Sequence, residues 1–179
     1  MRSGISEKDL PDPEVLIDEA SVALRVACLG EELTEFFRGR KLSVVAISNG
    51  AMVFVADLIR HIKLPLQLDS ISAHSYRGTE SSGSVTVLSR LKLSMEGRDI
   101  LLVDDILDTG RTLKEITSFL ETLNPSSVST CVLLDKPSRR AVEIEADYKG
   151  FTVDDVFVVG YGLDFEEYYR NLPYIGRLA

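Results

Sequence analysis

Apolar positions along the chain alternate between two spacings. Val22, Val26, Leu29, Leu33 and Phe36 recur at steps of three and four, the mark of one buried helix face. Asp18 just ahead of them reads as the N-cap, because its carboxylate can accept from an N–H that has no partner inside the helix. Gly39 and Lys41 close that helix. Residues 42–47 form a short β-branched run, the pattern of a strand buried on both faces. Ser48-Asn49-Gly50-Ala51 turns the chain into a helix over 52–62. A second strand is expected over 64–76, alternating in part as Leu66, Leu68 and Ile71, and residues 84–91 resume as a strand. Between them lies a polar, glycine-bounded loop, 77–83, with the composition of a mobile segment.

The apolar run 100–103 predicts a strand that ends in Asp104 and Asp105, followed by a loop and a helix over 111–123. Asn124-Pro125 stops that helix, and 128–134 reads as another buried strand. A charged loop, Asp135-Lys136-Pro137-Ser138-Arg139-Arg140, comes next. Short strands are expected at 14–17, 148–151, 156–159 and 174–175, and residues 1–13 read as a loose arm. Strands alternating with helices predict an α/β fold, with a mostly parallel central sheet flanked by helices.

Composition narrows the picture. A chain of 179 residues, 45% of them hydrophobic, suits one domain with a real core. The net charge of −8 and pI near 4.8 count against a general affinity for nucleic acid, whose phosphates such a field repels. The two cysteines and two histidines have no metal-ligand spacing and make no disulfide scaffold. No apolar run approaches the roughly 18 residues that span a bilayer. The polar start, Met1 to Asp9, has no signal-like apolar region. The expected setting is the cytoplasm, with no membrane and no nucleic-acid partner.

The candidate chemistry gathers at Val103-Asp104-Asp105-Ile106-Leu107-Asp108-Thr109-Gly110-Arg111-Thr112. In open α/β sheets, ligands bind in the crevice at the carboxyl ends of the strands. The N–H groups opening a helix are a ready phosphate site. Acids on one side and a phosphate cradle on the other suit a sugar phosphate. Taken alone, paired acids after a strand read equally well as caps or solvated loop residues, and Thr112 as a simple cap. A dinucleotide G-x-G-x-x-G turn and a P-loop G-x-x-x-x-G-K-[ST] are both absent from the sequence.

This run resembles the phosphoribosyl-pyrophosphate signature of the type I phosphoribosyltransferases. Leu133-Leu134-Asp135-Lys136-Pro137-Ser138-Arg139-Arg140, Phe157-Val158-Val159-Gly160-Tyr161-Gly162-Leu163-Asp164 and Tyr168-Tyr169-Arg170-Asn171-Leu172-Pro173-Tyr174-Ile175-Gly176 resemble the hypoxanthine(-guanine) branch. The likeness runs over about residues 14–178. It implies the type I phosphoribosyltransferase fold as a single domain over 1–179, with a small hood drawn mainly from about 14–18 and 136–179.

It also implies a reaction: a purine base displaces pyrophosphate from phosphoribosyl pyrophosphate with Mg2+ as cofactor, giving IMP or GMP in purine salvage. On that resemblance Asp104 and Asp105 hold the ribose hydroxyls and lie near a ribose-side Mg2+. Asp108, Thr109, Gly110, Arg111 and Thr112 cradle the 5′-phosphate. Asp108 is the catalytic acid–base group at purine N7. Lys136 donates to the 6-oxo group, Phe157 stacks on the base, and Val158 reads the ring edge. Asp164 serves the purine pocket and the second Mg2+. Asn49, Gly50 and Arg170 take pyrophosphate, and Ser75 and Tyr76 belong to a closing loop. Homodimers or homotetramers are expected.

One departure from the family pattern is Asn49, where a lysine or arginine is usual, which predicts altered pyrophosphate affinity. Three rival readings stand beside the enzyme. A regulatory RNA-binding relative on the same fold is disfavoured by the charge of −8 and by the Lys136 and Phe157 segments. A different base, such as xanthine or orotate, and an inactive partner-binding protein are the others.

Overall fold

The computed structural model describes residues 10–75, 85–87 and 91–178. Strand β1 spans Glu14–Ile17 and leads into helix α1, Glu19–Phe36. Asp18 caps α1 as expected, accepting the Ser21 N–H at 2.8 Å. Its buried stripe is Val22, Val26, Leu29 and Leu33, and it continues through Phe37 rather than Phe36. Phe37 N–H donates to Leu33 O at 3.0 Å, so the last turn carries Phe37 onto the stripe. Phe36 is left on the rim, 41% exposed, with Arg40 over its ring at 4.5 Å.

The chain continues as β2 (Leu42–Ser48), α2 (Met52–His61), β3 (Leu66–Ser75) and β4 (Val85–Val87). It ends with β5 (Asp99–Leu107), α3 (Arg111–Glu121), β6 (Ser127–Asp135), β7 (Tyr148–Thr152), β8 (Phe157–Val159) and β9 (Ile175–Leu178). The large sheet has the order β4-β3-β2-β5-β6-β7. Every pairing from β3 to β7 is parallel, and β4 joins antiparallel at the edge. A three-stranded antiparallel sheet, β1-β9-β8, is built from the two ends of the chain.

Because β2, β5 and β6 bury apolar side chains on both faces, the sheet carries two cores. One lies beneath α1 and α2 and includes Leu29, Phe37, Phe54, Leu58, Leu101 and Leu133. The other lies beneath α3 and includes Ile71, Ile100, Leu102, Leu113, Ile116 and Leu120. Fully burying side chains of this kind stabilises a fold by about 1.5–3 kcal/mol each. Among the described residues no helix is long and apolar enough to cross a membrane.

Order reverses between β2 and β5: from β2 the chain steps to β3 on one side, then crosses back to β5 on the other. Such a switch point opens a crevice at the strands' carboxyl ends. The expected end of β5 needs correcting. The strand does not stop at Val103 but runs to Leu107, because β6 extends beside it, with Ile106 opposite Leu134 and Leu107 opposite Asp135. Asp104 and Asp105 are therefore strand residues.

Candidate active site

The crevice at the switch point is walled by the turn after β2 and the end of β5. The Ser48–Asn49 peptide is cis. Gly50 lies against the Asp105 carboxylate so closely that a Cβ there would fall 1.7 Å from Oδ2. Glycine is required at this approach because any side chain would occupy the carboxylate's place.

Asp104 is buried, 7% exposed, and Asp105 is partly so. Each carboxylate bonds the next residue's N–H, Asp105 at 3.0 Å and Ile106 at 2.8 Å. Burial first, then the charge of Asp105, pushes Asp104 well above the usual carboxylate range. Asp105 is raised too, chiefly by burial, with Arg170 pulling the other way. Two acids held this way suit ligands that donate O–H groups or bring positive charge.

Beyond β5, Gly110 adopts φ +83° and sits at the N-cap of α3 with no side-chain cap. The simple capping role open to Thr112 is thus not taken. Among the described residues none of the backbone N–H groups of Thr109, Gly110, Arg111 and Thr112 donates to a protein acceptor. N–H groups without a protein acceptor at the positive end of a helix are the arrangement that binds phosphate. Asp108 is partly exposed and accepts from Arg139 Nε at 3.1 Å, and Arg139 also reaches Asp155 at 3.5 Å.

Sequence reading missed how charge is arranged in the segment after β6. Asp135 is 1% exposed, paired with Arg140 and with Lys149 at 3.1 Å. Lys136 is buried as well, and its ammonium donates to Val156 O, just before β8. Phe157 is 53% exposed, and its ring meets that of Phe165 in a T-shaped contact with centroids 5.7 Å apart. Val158 is buried and pairs with Arg177 across β8 and β9.

The 160–173 segment closes the far side. Gly162, at φ +100°, lies so near Gly50 that a Cβ would sit 2.3 Å from the Gly50 carbonyl oxygen. Arg170 Nη1 donates to Gly162 O at 2.7 Å, and Nη2 pairs with Asp164 at 2.7 Å and Glu167 at 2.9 Å. Asp164 also accepts the Glu167 N–H at 3.0 Å. Tyr161 is anchored by its hydroxyl to Asp57 at 2.7 Å, a bond no sequence pattern indicated.

Direct contacts thus join Gly50 to Asp105, Gly162 to Gly50, and Arg170 to Gly162 and Asp164, with Asn49 and Asp104 adjacent in the chain. Asp108 meets Arg139 and Leu107 O meets the Lys136 N–H, so the loop that runs through Thr109, Gly110, Arg111 and Thr112 is tied to the segment after β6. Lys136 in turn reaches Val156 O, next to Phe157 and Val158. Ser75 ends β3, paired with Val85. Tyr76 and the loop 77–83 lie outside the described residues, as do residues 1–9 of the arm.

A phosphoribosyl transferase domain model matches residues 19–166, and the chain belongs to that family. A hypoxanthine-guanine phosphoribosyltransferase of Staphylococcus aureus is 46% identical over 166 residues, 92% of this chain and 93% of that protein. A solved structure of an S. aureus hypoxanthine phosphoribosyltransferase superposes with a TM-score of 0.89 at 43% identity, covering all of this chain and 97% of the other. The Listeria monocytogenes bifunctional protein TilS/HprT is 47% identical over 92% of this chain, which spans 26% of that longer protein. Within the family, the branch this chain falls in is that of the hypoxanthine-guanine phosphoribosyltransferases.

Proposed function

We propose that the chain transfers the 5-phosphoribosyl group from phosphoribosyl pyrophosphate to N9 of hypoxanthine, guanine or both, releasing pyrophosphate and forming IMP or GMP. What supports this reading is the contact between the two halves of the site: Leu107 O, which links the buried acid pair to the partnerless N–H groups opening α3, accepts the Lys136 N–H, and Lys136 reaches the carbonyl beside the exposed Phe157. Those groups match a ribose, a 5′-phosphate and a 6-oxopurine in that order.

Asp104 and Asp105 accept from the ribose hydroxyls, and the N–H groups of 109–112 hold the phosphate. Lys136 has three ammonium protons, one directed at Val156 O, so others remain for the 6-oxo oxygen. A 6-amino group offers that ammonium no good acceptor, which disfavours adenine. Phe157 stacks on the base while Val158 presents its backbone to the ring edge. Asp108 exchanges a proton with N7 as N9 attacks the ribose C1, giving up its contact with Arg139. Arg170, with the N–H groups of Asn49 and Gly50, takes the departing pyrophosphate.

Magnesium fits this donor set. Among the described residues no group of three or more acidic, histidine or cysteine side chains forms a metal cage. Mg2+ normally takes one or two carboxylates plus phosphate oxygens and water. Asp164 would hold the ion on the pyrophosphate side, and Asp104 and Asp105 on the ribose side. Bound there, the ion supplies charge neutralisation of the leaving pyrophosphate.

We also infer a cytoplasmic setting and a homodimer or homotetramer, the assembly supported by Met52, Val53 and Leu68, exposed on α2 and β3. The decisive experiment is a spectrophotometric assay with phosphoribosyl pyrophosphate and Mg2+ against hypoxanthine, guanine, xanthine and adenine. Turnover of hypoxanthine or guanine, with adenine inert, is expected. Turnover of xanthine alone would reassign the base, and turnover of none would overturn the reading.

A further inference from the structure

The loop between β5 and α3 has its carbonyl oxygens drawn to one side. Leu107 O accepts from Lys136 N–H at 3.0 Å and from Arg140 Nη1 at 2.9 Å. Asp108 O accepts from the same Arg140 nitrogen. Thr109 O accepts from Ala141 N–H at 3.0 Å and Val142 N–H at 3.3 Å, and Gly110 O from Lys114 N–H at 3.0 Å. In a trans peptide the N–H points opposite the preceding C=O. Tying back the carbonyls of 108, 109 and 110 therefore turns the N–H groups of Thr109, Gly110 and Arg111 the other way, into a concavity suited to an anion.

Arg140 is the one side chain in that set, and the structure gives it little freedom. Its guanidinium is paired with Asp135, whose second oxygen takes Lys149 at 3.1 Å. Its aliphatic stem backs the loop: a Cβ on Gly110 would meet Arg140 Cδ at 3.1 Å and Ile144 Cγ2 at 2.5 Å. Asp135 immediately precedes Lys136, so the segment that reads the base also anchors the phosphate loop. A planar fork serves two carbonyls and a carboxylate at once, which a lysine ammonium on a flexible stem does not reproduce.

We propose that Arg140, neutralised by buried Asp135, is a positioning residue for the phosphate monoester subsite: it holds the loop's carbonyls back so that the N–H groups converge on the anion. This rests on the phosphate role proposed above for residues 109–112. Nothing in it requires Arg140 to touch the ligand.

The test compares Arg140→Lys, Arg140→Gln and Lys149→Met with the wild-type chain. Calorimetry measures affinity for ribose 5-phosphate, kinetics separate the KM values for phosphoribosyl pyrophosphate and base, and thermal melting reports the fold. Both Arg140 variants are expected to weaken ribose 5-phosphate by roughly tenfold and raise the phosphoribosyl pyrophosphate KM alike, with the base KM little changed. Lys149→Met strips Asp135 of its other partner without touching the loop. It should lower the melting temperature and leave ribose 5-phosphate affinity within about twofold.

A folded Arg140→Lys that binds ribose 5-phosphate like wild type would overturn the proposal. So would a fall in kcat alone, or a loss of affinity in Lys149→Met equal to that in Arg140→Gln. If Arg140→Gln does not fold, Arg140→Lys carries the comparison. Wild type that binds ribose 5-phosphate but transfers nothing sinks the proposed reaction, and the affinities still decide the role of Arg140. Wild type that does not bind it at millimolar concentration removes the subsite and the proposal together.

Discussion

Asp108 and Asp104 are four residues apart and face opposite electrostatic problems. Asp108 is partly exposed and pairs with Arg139 at 3.1 Å, a contact that the proton exchange proposed above would displace. Asp108→Asn keeps the shape and removes the basicity. Turnover is expected to fall by about 10²–10⁴-fold, with the melting temperature unchanged. Steady-state kinetics alongside a thermal melt check both halves, and wild-type turnover would sink the assignment.

Asp104 is raised by burial and by Asp105. A carboxyl whose pKa is higher in the fold than in the open chain favours folding below its ordinary value of about 3.9, where it is protonated in both states. That contribution is lost as pH climbs through the raised native value. Asp104→Asn should therefore melt higher than wild type at neutral pH, by about 2–4 °C for each kcal/mol relieved. The gap should close as pH falls toward about 4. Melting curves across that range, without ligand, decide it; an equal gap at both ends would show that charge is not the cause.

At the scale of elements, close approaches at two glycines bring the pieces of the crevice together, one against a carboxylate and one against a backbone carbonyl. The β2 turn meets β5 through Gly50, and the 160–173 segment meets the β2 turn through Gly162. Gly50→Ala places a methyl where the Asp105 carboxylate sits, and overpacking of this kind costs about 1–3 kcal/mol. The displaced acid should raise the phosphoribosyl pyrophosphate KM at least about tenfold, since small misplacements at reacting centres are costly. A variant with wild-type KM would mean the acid pair tolerates movement.

Much of this was legible before any coordinates. Val22, Val26, Leu29 and Leu33 announce α1 because burial repeats at the helical period, and Asp18 announces its start. Phe36 and Phe37 could not be separated by period, since both fall within a step of the stripe; the packing of the last turn chose. The end of β5 was misplaced because charge in a strand reads as its end, whereas the extent of β6 beside it is a tertiary fact. The acids at the end of β5 stood out by type and spacing, whereas Lys136 was marked only by the family resemblance of its segment. Asp135 and Arg140 read as parts of a charged loop and Lys149 as a residue of the next strand, because a sequence does not show which charges meet and lose their water.

For the whole molecule, apolar side chains left exposed on α2 and β3 bear on assembly. Met52 and Leu68 are about half exposed, at 58% and 48%, beside the turn that carries Asn49. Sedimentation equilibrium should report a dimer or tetramer, and Leu68→Glu, which puts a carboxylate on that face, should shift the population toward monomer. Wild type found only as monomer would remove the inference.

The pairing of β1 with β9 has a further consequence, for the order in which the molecule comes into being. Glu14 lies opposite Arg177, nearly the whole chain away, so this contact closes a very long loop. Every strand of the large sheet leaves the ribosome before β9 does. A nascent chain can therefore assemble the acid pair and the phosphate floor while β8, which carries Phe157 and Val158, still lacks its neighbour β9. On the roles proposed above, the half of the crevice assigned to the sugar phosphate is available first, and the half assigned to the base is completed last.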